Sequence, residues 1–464
     1  MTFASVKNQY YATFCVNILS LTYGAACGWP SAAFLLLQSE DTPLKSGPLL
    51  NDELSWVSSI LCLGGVVGNC LFGWMADKFG RKLTLLIIAL PQIASLVILI
   101  IAKNAVHLCL SRFLSGVGGG AAFVLIPLYI TEISEDRYIT RGSLGSFLVF
   151  SSNGGLLLAF ILGNYLSYYV VIYTVLVFPI LFLLISTSLP ETPQYLLKLK
   201  KEKDAERALR YFRNERKNSK EPGEIFKSEL EKLKADYMDD STKTESPLSL
   251  DDFTNKISRK ALVIGVVLIF LNQFCGCFAM LNYTATIFKK AGSHLSPNMS
   301  AIVVGAIQQV GSYFSTVLVE RLGRKVLIAI SAMGSGIGLM SFGLYVYFEG
   351  IGYDLSSYKW IPLASFSFMI FIASWGVVTL TFLVLSEILP PKIKTVGAIW
   401  CMNLLWIFAF ILIKFYPLVS EIFGMSACLF FFATCCFGGM IFVVTYVPET
   451  KGRSLEEIMA ILDK

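Results

Sequence analysis

Charged side chains that could form breakable ion pairs occur twice along the chain, at matching places. Residues 77–82 read Asp-Lys-Phe-Gly-Arg-Lys, and residues 320–325 read Glu-Arg-Leu-Gly-Arg-Lys. Both stretches lie between apolar runs, where opposite charges can join two helix ends in one conformation and release them in another. An exposed ion pair stabilises by about 0–1 kcal/mol, so several pairs would bias an equilibrium without locking it. The residues predicted to act as gating pairs are Asp77, Arg81, Glu132, Arg141, Glu320, Arg324, Glu387, Lys394, Glu449 and Arg453.

The spacing of these motifs indicates one unit used twice. Glu132 and Glu387 each end an apolar run and are followed by basic residues. The tripeptide Pro-Glu-Thr also occurs twice, at 190–192 and at 448–450. Each pair recurs after about 245–260 residues, roughly half the chain. Two related halves around a shared path is the organisation of a secondary transporter. The competing interpretation is that the basic residues only anchor helix ends on the inner side of a membrane.

The elements that must position these residues are membrane-spanning helices. Of the 464 residues, 55% are hydrophobic and 15% are charged, whereas a soluble domain carries about 25% charged residues. Hydrocarbon offers no partner to backbone polar groups, so apolar runs of about 20 residues must be helical. An all-α membrane protein is therefore predicted. Its twelve expected spans lie near 11–36, 55–76, 83–102, 106–131, 143–165, 168–189, 260–288, 300–320, 326–348, 361–388, 395–418 and 425–447.

The distribution of Lys and Arg predicts the topology. These residues concentrate in alternate connections and in the long middle segment, which places that segment and both termini in the cytosol. The middle segment, residues 198–258, separates a first helical unit at 1–197 from a second at 259–464. Within it, residues 200–212 and 224–234 have apolar positions at helical spacing and predict short amphipathic helices. The alternative is a solvated linker without structure.

Composition also bears on partners and chemistry. The basic residues lie at helix ends and are mixed with acids, so lipid rather than nucleic acid is the expected neighbour. All 11 Cys fall inside the predicted spans and do not cluster with His, so neither a metal, a cofactor nor a structural disulfide is predicted. No nucleophile–base pair suggests an enzyme. Asn298-Met-Ser300 is a glycosylation sequon in a predicted outer loop.

Several motifs together resemble one family. Residues 73–82 (Gly-Trp-Met-Ala-Asp-Lys-Phe-Gly-Arg-Lys), 127–132 (Pro-Leu-Tyr-Ile-Thr-Glu) and 448–453 (Pro-Glu-Thr-Lys-Gly-Arg) are similar to motifs of the sugar porter family of the major facilitator superfamily. Within it, residues 282–288 (Asn-Tyr-Thr-Ala-Thr-Ile-Phe) most resemble the insect facilitated trehalose and glucose transporters. The resemblance covers essentially the whole chain. It implies two pseudo-symmetric six-helix bundles, with short cytosolic helices between them, that carry a sugar such as trehalose or glucose.

The resemblance also implies which residues contact the sugar. Asn272 and Gln273 match the family's Gln-Gln-x-x-Gly, Gln308 matches a polar contact position, and Trp406 matches an aromatic residue that lines the sugar path. A sugar suits such a mixture, because amides donate to and accept from hydroxyls while an aromatic face covers the C–H surface of the ring. The alternative role of a buried amide is to join helices.

Other positions depart from the family pattern. Gln194 and Lys394 stand where Arg is usual. Lys cannot make the bidentate contact to a carboxylate that Arg makes, so we expect the inner gate to be held closed less strongly.

Residues 376–382 of the tenth span read Gly-Val-Val-Thr-Leu-Thr-Phe and lack the family's two prolines. Because proline frees backbone groups and bends a helix, we expect this span to lack a hinge. Candidate replacement polar groups are Thr379, Thr381, Asn153 and Asn403.

Coupling to protons is not expected. Proton-driven members of the family carry a carboxylate in the first span, near an Arg of the fourth. Here Arg112 is present, but the first span carries no acid. An intramembrane charge costs about 2.5–3.5 kcal/mol or more, so proteins keep one only for use. We therefore predict facilitated diffusion. The expected location is the plasma membrane, and no obligate protein partner is predicted. A proton symporter and a non-transporting sugar sensor are the alternatives. Lys414, deep in the eleventh span, is expected to extend to the outer face.

Overall fold

Long helices dominate the first part of the chain. The computed structural model describes residues 7–134, 138–214, 224–240, 249–292, 294–453 and 455–463. Each of the first six apolar runs is helical because a helix pairs its own backbone groups away from water. These helices form the first bundle: α1 (Lys7–Leu37), α2 (Asn51–Phe79), α3 (Arg81–Ile101), α4 (Ala105–Ile133), α5 (Tyr138–Tyr165) and α6 (Tyr168–Ser186).

Short helices follow on the face of the molecule where the chain begins, here called the inner face. They are α7 (Pro193–Lys198), α8 (Glu202–Phe212), α9 (Glu224–Asp240) and α10 (Leu250–Thr254). The ring of Phe212 is fully buried and packs edge-on against Tyr129 of α4, with the ring centroids 6.4 Å apart. Gln9 Nε2 donates to the Phe212 carbonyl oxygen at 3.2 Å. The amphipathic helices predicted between the bundles are thus present, and α8 is bound to the first bundle.

The second bundle is built from broken as well as continuous helices. They are α11 (Lys256–Phe274), α12 (Cys277–Asn282), α13 (Thr284–Lys290), α14 (Pro297–Leu322), α15 (Arg324–Gly350), α16 (Ile361–Ala373), α17 (Leu380–Ile388), α18 (Lys394–Ile422) and α19 (Met425–Tyr446). A final helix, α20 (Leu455–Asp463), returns to the inner face, where Asp463 Oδ1 lies 3.4 Å from Lys256 Nζ.

The predicted count of twelve crossings is confirmed by this arrangement. In the described part of the chain, ten helices are long and apolar enough to cross a membrane. One further crossing is α1, which has 31 residues but contains several buried polar side chains, among them Asn17 and Thr22. The other is made by α16 and α17 together, neither of which is long enough alone.

Small residues allow the helices of the first bundle to approach closely. A Cβ atom on Gly64 of α2 would lie 2.0 Å from the carbonyl oxygen of Phe113 in α4. A Cβ on Gly120 of α4 would lie 2.2 Å from the carbonyl oxygen of Gly65. Gly64 and Gly68 of α2, like Gly116 and Gly120 of α4, are four residues apart. This spacing is common in membrane helices, because small residues let the backbones come into close van der Waals contact. These contacts make α2 and α4 one rigid support.

The tenth span is broken although residues 376–382 contain no proline, so the expectation that it lacks a hinge is wrong. α16 ends at Ala373 and α17 begins at Leu380. Side chains of neighbouring helices pair with the freed backbone groups: Ser331 Oγ accepts from the Val377 N–H at 3.0 Å. Asn272 Nδ2 donates to the Val377 carbonyl oxygen at 2.8 Å. Buried backbone groups require partners, and polar side chains on α15 and α11 provide them here.

Candidate functional site

Two of the predicted binding residues lie where the seventh span is interrupted. Asn272 and Gln273 lie in the last turn of α11, and Gly276 then takes the left-handed conformation with φ +80° before α12 begins. Both amide side chains are buried. Gln273 Nε2 donates to Asn272 Oδ1 at 3.0 Å, which joins the two amides.

The two neighbouring amides have different hydrogen-bonding capacity. Asn272 donates to backbone carbonyl oxygens of the broken tenth span and accepts from Gln273, so it is fully engaged in structure. Gln273 Oε1 is buried and has no hydrogen-bond partner among the described residues. A buried acceptor left without a donor costs about 1–3 kcal/mol. This oxygen can therefore accept from a hydroxyl group of a bound solute.

Gln308 lies near the middle of α14, where that helix faces the first bundle. Its Nε2 donates to Asn153 Oδ1 of α5 at 3.3 Å, and Asn153 Nδ2 donates to Ser312 Oγ at 2.6 Å. These bonds link the two bundles across the interior. In the described part of the chain Gln308 Oε1 is buried without a partner, so it too can accept from a solute hydroxyl.

Trp406 provides an aromatic surface where α18 of the second bundle packs against α2 of the first. Its ring is buried and lies perpendicular to Tyr23 of α1, with the ring centroids 6.2 Å apart. A Cβ on Gly65 of α2 would lie 2.5 Å from this indole, so only glycine accommodates it. One turn away on α18, Asn403 Oδ1 accepts from Asn69 Nδ2 at 2.6 Å.

Of the four predicted binding residues, the structure joins Asn272 directly to Gln273. Gln308 and Trp406 instead contact side chains of the first bundle. Asn153 and Asn403, proposed from the sequence as replacement polar groups, both form bonds between the bundles. Asn69 was not predicted, and no pattern within its own span distinguishes it.

A charged cluster braces the inner end of the first bundle. Arg81 Nη2 lies 2.8 Å from Glu132 Oε1, and Arg81 Nη1 lies 3.8 Å from Asp77 Oδ1. Glu191 Oε1 accepts from the Arg81 N–H at 3.1 Å, at the positive end of α3. Burial raises the pKa of the Glu191 carboxyl, an effect that backbone N–H groups and the Arg81 charge oppose. Gly80 turns the chain here with φ +94°.

The second bundle repeats this cluster. Arg324 Nη2 lies 3.4 Å from Glu387 Oε1. Glu449 accepts from the N–H groups of Arg324 and Lys325 at 3.0 Å and 3.1 Å, at the start of α15. Gly323 makes the corresponding turn with φ +86°. The sequence repeat thus corresponds to a repeated arrangement in which a Pro-Glu-Thr carboxylate caps a helix.

Four predicted gating residues remain, and the structure describes the side chains of two of them. Lys394 and Arg453 are exposed at the inner face. The side chains of Arg141 and Glu320 lie outside the described residues. Glu191 was not among the predicted gating residues, although its match with Glu449 in the Pro-Glu-Thr repeat would have placed it beside Arg81. The Arg81 and Arg324 clusters each join helices of a single bundle.

Arg112 is buried in the interior of the first bundle. Its Nε donates to the Val57 carbonyl oxygen at 3.3 Å, and its Nη1 donates to the carbonyl oxygen of Ala26. The guanidinium lies 5.8 Å from the centre of the Trp29 ring. Carbonyl oxygens and an aromatic face thus stabilise this charge.

The glycosylation sequon lies at the start of α14. Asn298 is half-buried in the first turn, and Ser300 is fully buried. Modification of Asn298 stays a prediction.

Comparison with known proteins decides the family. A model for the sugar (and other) transporter family matches residues 4–462. The chain belongs to this family of sugar transporters. The match extends over both bundles and the helices between them, so the repeated charged clusters and the central amides all lie within the matched region.

Individual relatives support the same assignment. The facilitated trehalose transporter Tret1 of Polypedilum vanderplanki is 32% identical over 454 residues, covering 98% of this chain and 88% of the relative. Tret1 of Anopheles gambiae is 33% identical over 98% of this chain, which spans 56% of that relative. The inward-open structure of the xylose transporter XylE from E. coli aligns with a TM-score of 0.79 at 21% identity, covering 98% of this chain and 99% of XylE. The last likeness establishes a shared fold.

Proposed function

We propose that this sugar transporter carries trehalose, or a hexose such as glucose, down its gradient by alternating access. The observation that carries the proposal is the similarity over nearly the full chain to proteins named facilitated trehalose transporters, at about one third identity. The bundles would rock about a site near the midplane and expose it to each side in turn.

The proposed site draws on residues of the second bundle that face the interior. Gln273 and Gln308 would each accept a sugar hydroxyl through the amide oxygen that lacks a partner in the described part of the chain. Trp406 would cover the apolar face of a ring. Asn272 would act as a positioning residue, because it orients Gln273 and holds the broken tenth span.

A second candidate is proton-coupled symport, favoured by the fold shared with a solved proton:xylose symporter. Fold alone does not determine coupling. Arg112 uses its Nε and Nη1 donors on backbone carbonyl oxygens, which suits a structural charge, while its Nη2 is buried without a partner among the described residues. Together with the names of the relatives, this supports facilitated diffusion as the primary proposal.

We further propose a location in the plasma membrane, with the inner face and both termini in the cytosol and no enzymatic role. The basic clusters of both bundles lie at this face, as the positive-inside rule requires. The division at 1–197, 198–258 and 259–464 is retained as a proposal, as is the gating role of the charged clusters. The Arg81 and Arg324 clusters each join helices of one bundle, so as gates they would act by holding those helix ends together in one arrangement and releasing them in the other.

Uptake of radiolabelled trehalose and of glucose tests the function, in cells that lack their own sugar carriers. We expect saturable uptake that stops at equal internal and external concentrations and is unchanged by an uncoupler. Accumulation above the external concentration would instead establish symport. If neither sugar enters while the protein is present at the cell surface, the sensor alternative gains support.

A further inference from the structure

Lys414 carries the charge that lies deepest in α18, and its ammonium reaches the other bundle. Nζ lies 2.6 Å from Asp52 Oδ1 and 2.8 Å from Ser55 Oγ. It also lies 4.2 Å from the centre of the Trp56 ring. All three partners belong to the first turns of α2. The expected extension toward the outer face therefore ends in a specific contact between the bundles.

This contact lies at the end of the molecule opposite the Arg81 and Arg324 clusters. α2 begins there and α18 ends there. Neighbouring contacts also join the bundles at this end: Ser31 Oγ of α1 accepts from the Ala285 N–H at 3.0 Å. The rings of Phe34 and Tyr283 lie with their centroids 6.0 Å apart. The outer ends of the two bundles are thus in contact, and the Lys414–Asp52 pair adds a charged bond to that contact.

The chemistry of the pair suits a bond that forms and breaks. The Lys414 side chain is 12% exposed, so in the closed arrangement its charge depends on a carboxylate, a hydroxyl and an aromatic face. The Asp52 side chain is 79% exposed, so water competes for it. If α2 and α18 separate, water entering the cleft can hydrate both charges. A half-exposed ion pair of this kind biases an equilibrium and does not lock it.

We propose that Lys414 and Asp52 form an outer latch, an ion pair that holds the outer ends of the bundles together and breaks when the site opens to the outside. The proposal rests on alternating access as the mode of transport. It assigns Lys414 a gating role at the outer side, whereas the repeated motifs place the other gating residues at the inner side. Removing the latch should favour the outward-open arrangement.

Accessibility of a cysteine placed under the latch tests this proposal. Phe34 is 1% exposed at the outer junction, so a Phe34→Cys variant should react slowly with a membrane-impermeant maleimide added outside. Adding Asp52→Asn or Lys414→Met should raise the labelling rate about two- to fivefold, because the closed arrangement loses its ion pair. The protein with Phe34 intact gives the background from its 11 native cysteines.

A matched control and a double variant sharpen the result. Glu53→Gln removes a negative charge from the same turn, but Glu53 Oε2 accepts from the Leu50 N–H at 2.9 Å, so labelling should stay at the Phe34→Cys rate. Asp52→Asn combined with Lys414→Met should label no faster than either alone, because both remove the same bond. Unchanged labelling in both single variants, or effects that multiply in the double variant, would overturn the latch.

The labelling needs no sugar, so it separates failure of the latch from failure of the proposed function. If labelling responds as expected but neither trehalose nor glucose is carried, the latch stands and the substrate proposal falls. Rates are compared only between variants with equal surface amounts by biotinylation. Should Lys414→Met fail to reach the surface, Asp52→Asn decides the matter, because Asp52 is mostly exposed and its substitution leaves packing intact.

Discussion

Asn272 and Gln273 are adjacent and chemically similar, yet their hydrogen bonds assign them different tasks. Asn272 uses its donors on the backbone of the broken tenth span and its acceptor on Gln273. The Gln273 oxygen has no partner among the described residues. Within this adjacent pair of residues, the unused buried acceptor marks Gln273 as the candidate ligand and Asn272 as the structural amide. Sequence similarity marks both positions equally and cannot make this distinction.

The first prediction follows from that difference. Gln273→Ala should raise the half-saturation constant for sugar about tenfold, the effect of losing one hydrogen bond of about 1.4 kcal/mol, while the amount at the surface stays constant. Asn272→Ala should instead lower the surface amount, because carbonyl groups of the tenth span lose their donor. Initial rates of uptake, normalised to surface protein, measure both effects. Equal behaviour of the two variants would contradict the assignment.

A second residue-scale prediction compares the two acids beside Arg81. The side chain of Glu132 is 10% exposed and that of Asp77 is 65% exposed. Removing one partner of a buried ion pair costs about 3 kcal/mol, since the other charge stays buried. Glu132→Gln should therefore lower the thermal unfolding temperature of the purified protein. Asp77→Asn should change stability by no more than about 0.5 kcal/mol. A reversed order would show that Asp77 is the main partner of Arg81.

At the scale of elements, the tenth span shows where a pattern in one segment is insufficient. Residues 376–382 lack proline, which predicts an unbroken helix there, yet α16 and α17 are separated by a turn. The break is stabilised from outside the segment by Ser331 of α15 and Asn272 of α11. Ser331 Oγ donates to the Ile372 carbonyl oxygen at 2.7 Å and accepts from the Val377 N–H at 3.0 Å. A helix break can thus be encoded in neighbouring helices.

The third prediction tests that support. Ser331→Ala leaves the Val377 N–H without its acceptor and should destabilise the protein by about 1–3 kcal/mol. Ser341 lies in the same helix but is exposed and donates to the Ile337 carbonyl oxygen within α15. Ser341→Ala should therefore have little effect. Thermal unfolding in detergent compares the two, and equal stability would refute the role given to Ser331.

At the scale of the whole molecule, the repeated motifs and apolar runs predict most of the architecture. The twelve crossings follow from run length, because hydrocarbon leaves the backbone no other arrangement. The similar clusters around Arg81 and Arg324 follow from the repeat. The contacts between bundles do not, since Asn69 with Asn403 and Lys414 with Asp52 are separated by more than half the chain. Such partners are determined by packing of the bundles and not by local pattern.

Those contacts lead to the last prediction, which concerns how solute crosses. Bonds between the bundles occur in the interior, from Asn153 to Ser312 at 2.6 Å, and at the outer end, from Lys414 to Asp52 at 2.6 Å. Under the proposed alternating access, these bonds keep the path closed at the outer end, so solute crosses only when the bundles move. Vesicles that contain the protein and are preloaded with unlabelled sugar should therefore take up labelled sugar to a transient peak above the equilibrium level. The peak arises because the unlabelled sugar inside occupies the binding site and slows the exit of labelled sugar. Vesicles without preloading should approach equilibrium without a peak. A smooth approach in both cases would indicate a continuous pore, and alternating access would be wrong.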